Sequence, residues 1–82
     1  MQSLTPSLQV VYGRNLSYES YVRNWDVKET ASRLGVSEIV IHRIRQAKNV
    51  HIDCDVLTKA VEVFDCSFDR LLTPRDDLIY DV

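Results

Sequence analysis

The chain reads as an all-α domain of five short helices with a helix-turn-helix at its centre. Three observations predict this. Apolar residues recur at helical spacing, with Val27, Ala31 and Leu34 at i, i+4, i+7 and Leu57, Ala60, Val61 and Phe64 at i, i+3, i+4, i+7. Capping residues stand ahead of the stripes: Asp26, Ser37, Asp53 or Asp55, and Ser67. Gly35 follows Leu34, where a helix commonly stops in a left-handed conformation that glycine adopts without strain. Eighty-two residues make one domain, near the lower limit for a self-sufficient core, so association of copies would add stability.

Taken in order, residues 1–13 form an N-terminal arm or strand. Pro6 disfavours a continuous helix, and Val10, Val11 and Tyr12 make a short β-favouring run. Gly13 and Asn15 break that run and cap the helix after it. The first helix is expected over about residues 15–24, with Leu16, Tyr21 and Trp25 as its apolar bulk and Tyr18 and Val22 beside them. Trp25 precedes the Asp26 cap, a hydrophobic-staple position, and reads as core rather than as a ring that stacks on a base. The second helix runs from the Asp26 cap to Gly35, and Val36 plugs the turn. Ser37 caps the third, whose buried stripe is Ile41 and Ile44 with Val40 at its flank. Asn49, Val50, His51 and Ile52 cross to the fourth, with Val50 and Ile52 alternating inward. Asp65 and Cys66 end the fourth, and Ser67 caps a last short helix with Phe68, Leu71 and Leu72 apolar. The helical domain thus spans residues 14–73. An acidic tail, residues 74–82, follows a turn at Thr73, Pro74, Arg75 and Asp76 and carries a second β-favouring run, Leu78, Ile79, Tyr80 and Val82. The two terminal runs either pair as strands, within one chain or across a dimer, or remain loose tails.

Composition narrows the function classes. No apolar run approaches the roughly 20 residues needed to span a membrane. MQSLTPSLQVVY has no early positive charge and no long apolar stretch, so it is no secretion signal, and a cytoplasmic location is expected. Cys54 and Cys66 are too few for a disulfide scaffold. On one helix they would stand roughly 18 Å apart, too far to bond, which implies reduced thiols. His42, His51, Cys54 and Cys66 lack the paired Cys-x-x-Cys of a zinc site, so no metal is expected. Neither histidine has a nucleophile at a vouched spacing. Gly13 and Gly35 are the only glycines and form no phosphate loop, and Asp76 and Asp77 sit in a solvated tail. The chain is therefore expected to be neither an enzyme nor a cofactor carrier.

Charge is unevenly spread. The net charge is −2, with 10 Lys and Arg against 12 Asp and Glu. Residues 23–49 nevertheless carry Arg23, Lys28, Arg33, Arg43, Arg45 and Lys48 against Asp26, Glu29 and Glu38, a net +3. Residues 50–82 carry a net −5. Such asymmetry orients a protein on a polyanion while limiting non-specific grip.

The stretch over residues 26–48 resembles the helix-turn-helix of the phage repressor and Cro superfamily, the lambda-repressor-like or xenobiotic-response-element type. The resemblance rests on Ala31 within the first helix of the pair, Gly35, Val36 and Ser37 at the turn, and Ile41 and Ile44 in the second helix. VLTKAVEVFDCSFDRLL resembles the family's fourth and fifth helices, so the likeness covers about residues 16–72. The family often has glycine before the basic residue that closes the second helix, whereas here Ala47 precedes Lys48. The resemblance implies a regulator of transcription, a repressor that occupies an operator in double-stranded DNA as a homodimer.

On the third helix, Ile39, His42 and Gln46 point away from the buried stripe, with Glu38 and Arg43 on the flanks. Arg43 can make two hydrogen bonds to guanine, Gln46 can address adenine or a phosphate, Ile39 suits a thymine methyl and Glu38 can accept from cytosine. Ser37 and Lys48 would hold phosphates at the helix ends. Phe68, Leu72, Leu78, Ile79 and Tyr80 exceed what one small core covers and are expected at the dimer surface. The outward Ile39 and the acidic C-terminal third also suit a different role: a modulator, antirepressor or antitoxin-like, that binds a partner repressor protein.

Overall fold

The computed structural model describes residues 7–47 and 52–78. Among these it contains five helices and no strand: α1 Leu8–Val22, α2 Val27–Leu34, α3 Glu38–Arg45, α4 Cys54–Phe64 and α5 Phe68–Leu72. α1 packs on α3 and α5, and α2 packs on α3 and α4. Tyr12, Leu16, Ala31, Leu34, Ile41, Ile44, Leu57, Ala60, Phe64 and Leu71 form one apolar core.

Local chemistry accounts for α2 through α5. Asp26 caps α2 by accepting from the Glu29 N–H at 2.8 Å. Gly35 ends it with φ +69°, the left-handed conformation expected there. Asp53, rather than Asp55, caps α4, accepting from the N–H groups of Asp55 and Val56. Asp65 ends α4 with φ 54°, and the Ser67 hydroxyl accepts from the Arg70 N–H to cap α5. Ser37 stands at the N-cap of α3, but its side chain makes no cap hydrogen bond. Ala47, where the related family often has glycine, also adopts a left-handed conformation, φ 55°. A Cβ disfavours that geometry by roughly 1–2 kcal/mol.

α1 departs from expectation. It begins about seven residues earlier than predicted, capped by the Ser7 hydroxyl, which accepts from the Val10 N–H at 3.2 Å. Val10, Val11 and Tyr12 are therefore helical, not a strand, and residues 8–13 belong to the domain rather than to an arm. Gly13 and Asn15 neither break nor cap the helix. Both are buried in its middle. A Cβ on Gly13 would collide with the Ile44 carbonyl oxygen, so the missing side chain is what lets α1 lie against the backbone of α3. The buried face is Val11, Tyr12, Leu16 and the polar Asn15, Glu19 and Ser20. Tyr21, expected in the core, is 78% exposed, and Val22 is exposed as well. Trp25 is half-buried and stacks on Phe64 with ring centroids 5.5 Å apart. The fourth residue of α2, where a staple partner would stand, is Thr30. Leu78 lies in no strand, and residues 1–6, 48–51 and 79–82 lie outside the described residues, among them Ile79, Tyr80 and Val82 of the expected C-terminal run.

The polar side of α1 holds the C-terminal end. The Asn15 amide donates to the carbonyls of Arg70, Leu71 and Thr73. Glu19 accepts from Arg23 at 2.8 Å and Arg70 at 2.9 Å, with Arg75 at 3.7 Å. Arg23 also donates to the Phe64 carbonyl at 2.7 Å, at the end of α4. Burial pushes the Glu19 carboxyl up, but the hydrogen bonds and charges of Arg70 and Arg23 outweigh it and hold the group below the ordinary glutamate range.

Gly13→Ala tests the crossing. Alanine favours an isolated helix by about 1 kcal/mol, but here overpacking against Ile44 should cost about 1–3 kcal/mol. The expected result is a net loss of stability in urea unfolding, and a stabilised variant would show that α1 does not lie this close to α3. Glu19 gives a pH prediction. Its lowered carboxyl contributes stability that is fully present above the unfolded value, about 4.3, and is lost as pH falls through the folded value. Glu19→Gln should lose about 1–3 kcal/mol at pH 7, discounted because the arginines are partly exposed. The same variant should show a flatter acid dependence than the wild type, and equal acid slopes would exclude Glu19 as the titrating group.

Candidate nucleic-acid interface

α3 is positioned from both sides. Ile41 and Ile44 are buried and Val40 is half-buried, which turns the helix through the same face that its periodicity implies. α2 meets it through the Gly35 turn, where the Val36 N–H donates to the Ala31 carbonyl at 3.0 Å and the half-buried Val36 packs on the core. α1 meets its C-terminal end at Gly13. The helix is thus fixed in rotation by its own stripe and in height by the two neighbours.

Six of the seven residues expected at the interface lie on exposed positions. Ser37, Glu38, Ile39, His42, Arg43 and Gln46 are all exposed, and Lys48 lies outside the described residues. Ile39, His42 and Gln46, spaced i, i+3, i+7, form one outward stripe, with Glu38 and Arg43 beside it. Ile39 is 59% exposed, far more than an isoleucine placed for packing. Glu38 in the first turn and His42, Arg43 and Arg45 in the last complement the helix dipole. The C-terminal end of α3 is the more basic end of this surface. Gln46 closes it by donating its N–H to the His42 carbonyl at 3.0 Å.

One residue was missed from the sequence. Arg45 is half-buried, and its Nε is enclosed without a hydrogen-bond partner. Burial pulls its guanidinium below the ordinary arginine range, with no acid among the described residues acting on it. The one sequence signal for it is its place directly after Ile44, at the edge of the buried stripe.

The structure places the other candidate residues apart from α3. Cys54 is exposed, and Cys66 is half-buried. Burial and the Glu19 charge push the Cys66 thiol up, against the opposing pull of Arg70 and Arg23. The buried Tyr12 hydroxyl, unpartnered, is raised to about 12 by burial and then by Asp53. Among the described residues no three His, Cys, Asp or Glu side chains could hold a metal ion, and no helix is long and apolar enough to cross a membrane. His51 lies outside those residues. Compared with known proteins, the chain matches no family model, no curated protein and no solved structure.

The assignment of faces on α3 predicts unequal substitutions. Ile41→Ala should cost about 2–5 kcal/mol, because it leaves a cavity in the core. Ile39→Ala should change stability by under about 0.5 kcal/mol. Comparable losses for the two, read by thermal denaturation, would mean that the helix is rotated from this placement.

Proposed function

We propose that this chain is a sequence-specific DNA-binding regulator of transcription, a repressor that occupies its operator as a dimer. The observation that carries the reading is the outward face of α3. A helix packed through Ile41 and Ile44 presents Ile39, His42, Arg43 and Gln46 to solvent, without an acidic residue beyond Glu38 among them. A major groove admits one α-helix and distinguishes all four base pairs. Arg43 addresses guanine through its two parallel donors, Gln46 addresses adenine, and Ile39 meets a thymine methyl. Ser37 and Lys48 take phosphates, which set the register. The likeness of residues 26–48 to the phage repressor and Cro helix-turn-helix supports the same reading.

One such domain reads a half-site, so a two-fold dimer is part of the proposal. Phe68 is 48% exposed on α5, and Leu78 is half-buried in the segment beyond it. Leu72 is turned instead against the core, and Ile79 and Tyr80 lie outside the described residues. The alternative, a modulator that captures a partner repressor through α3, is favoured by Ile39 itself, because an exposed apolar anchor suits a protein interface.

Titration against duplex DNA from upstream of the chain's own coding sequence tests the proposal. The wild type should bind, with affinity falling steeply as salt rises. Arg43→Ala should weaken binding by about 1–3 kcal/mol and relax preference at one base pair. Absence of binding at low salt rejects the DNA reading. Ile39→Ala that spares weak DNA binding yet abolishes capture of a repressor-like partner selects the alternative.

A further inference from the structure

We infer that Arg45 is a phosphate-contacting residue at the edge of the α3 face, a cation whose stem and Nε the fold encloses while its two terminal guanidinium nitrogens are left for an external oxyanion. The inference rests on the DNA-binding reading above. Its basis is a contrast among the arginines. Arg23 pairs with Glu19 and the Phe64 carbonyl, Arg33 with Glu29, Arg70 with Glu19 and Arg75 with Asp77. Arg45 is as enclosed as several of these, yet its Nε is buried with no acceptor. Among the described residues, no acid acts on this side chain.

An enclosed guanidinium donor without an acceptor is costly to the fold. A structural role would have supplied the missing oxygen from within. The C-terminal carbonyls of α3 are at hand, but they receive the backbone N–H groups of Gln46 and Ala47 instead. The location names the ligand. Arg45 is the last residue of α3, and its Cα lies against Gly13 at the crossing with α1. On the helical wheel it stands about 60° from His42, between the core and the outward stripe. Its basic neighbours on the last turn are His42 and Arg43, both exposed. A single carboxylate of a partner would leave most of this positive surface unmatched, whereas a phosphodiester backbone meets it along its length. Guanidinium matches phosphate through paired donors, and a stem already held by packing loses little freedom on contact.

The experiment uses the whole chain with a mixed-sequence duplex of about 30 base pairs, long enough for non-specific binding. Fluorescence anisotropy gives affinity across a salt series for the wild type, Arg45→Met and Arg45→Lys, and thermal melts are recorded without DNA. Methionine keeps the apolar stem and removes the charge. Arg45→Met should reduce the slope of log affinity against log salt by about 0.9, one phosphate contact. Its loss should be equal on every duplex, unlike that of Arg43→Ala. Arg45→Lys should keep the slope. Without DNA, Arg45→Met should melt at or above the wild-type temperature, because the unsatisfied donor is gone. Opposite signs for binding and stability are the signature, since a structural arginine would lower both. An unchanged slope in Arg45→Met, with the wild type still binding, overturns this inference and leaves the DNA reading standing. A melt well below the wild type overturns it as well. A wild type that binds no duplex at low salt removes both readings together.

Discussion

The carboxylate of Glu19 is the point on which the C-terminal half of the fold depends. It is 2% exposed and carries a negative charge where only close cations make that tolerable. Three arginines meet it from three places: Arg23 just beyond α1, Arg70 on α5, and Arg75 beyond α5. Through Arg23 the same cluster reaches the last carbonyl of α4. One turn earlier on α1, Asn15 holds the carbonyls at the end of α5. α5 has only five residues and could not persist alone, since short isolated helices are marginal in water. Its position is set by Leu71 in the core and by these polar contacts from α1.

The other half of α1 governs α3. Gly13 brings the two backbones together, and Leu16 and Tyr12 join the core that receives Ile41 and Ile44. α1 is therefore a two-ended organiser, with an apolar and small-residue end toward α3 and a polar end toward α5. The orientation of α3 comes from this packing and from the tight turn at Gly35, and the outward stripe comes from the orientation.

The arrangement of charge has the same logic. Arginines of the C-terminal half and of α2 are matched with acids of the chain, at Glu19, Glu29 and Asp77. Among the described residues the two arginines of α3 are matched with none: Arg43 is exposed, and Arg45 is held at the crossing with α1. Ion pairs among the described residues thus leave the basic C-terminal end of α3 unpaired in a chain whose net charge is −2. A surface of that kind gains most from a partner that brings many negative groups at once.

The amino-acid sequence by itself determined α2, α4 and α5 closely, and the buried stripe of α3. Those features are local. Asp26, Asp53 and Ser67 cap through hydrogen bonds to residues two or three positions away, and apolar residues at helical spacing mark the inward face. The outward positions of Ile39, His42, Arg43 and Gln46 were legible as the complement of that stripe. α1 was decided only in the tertiary structure. Val10, Val11 and Tyr12 suggest a strand and Gly13 suggests a break, but packing overrides both tendencies. The buried face of α1 is partly polar, so a reading of apolar periodicity passes over Asn15 and Glu19 and favours Tyr21 instead. Apart from Arg23, four residues beyond Glu19, their partners, Arg70 to Arg75, lie more than 50 positions along the chain, and no local pattern announces such a pairing. Arg45 was missed for the same reason. Whether an arginine is matched depends on what the fold brings beside it, and only the tertiary structure sets those distances.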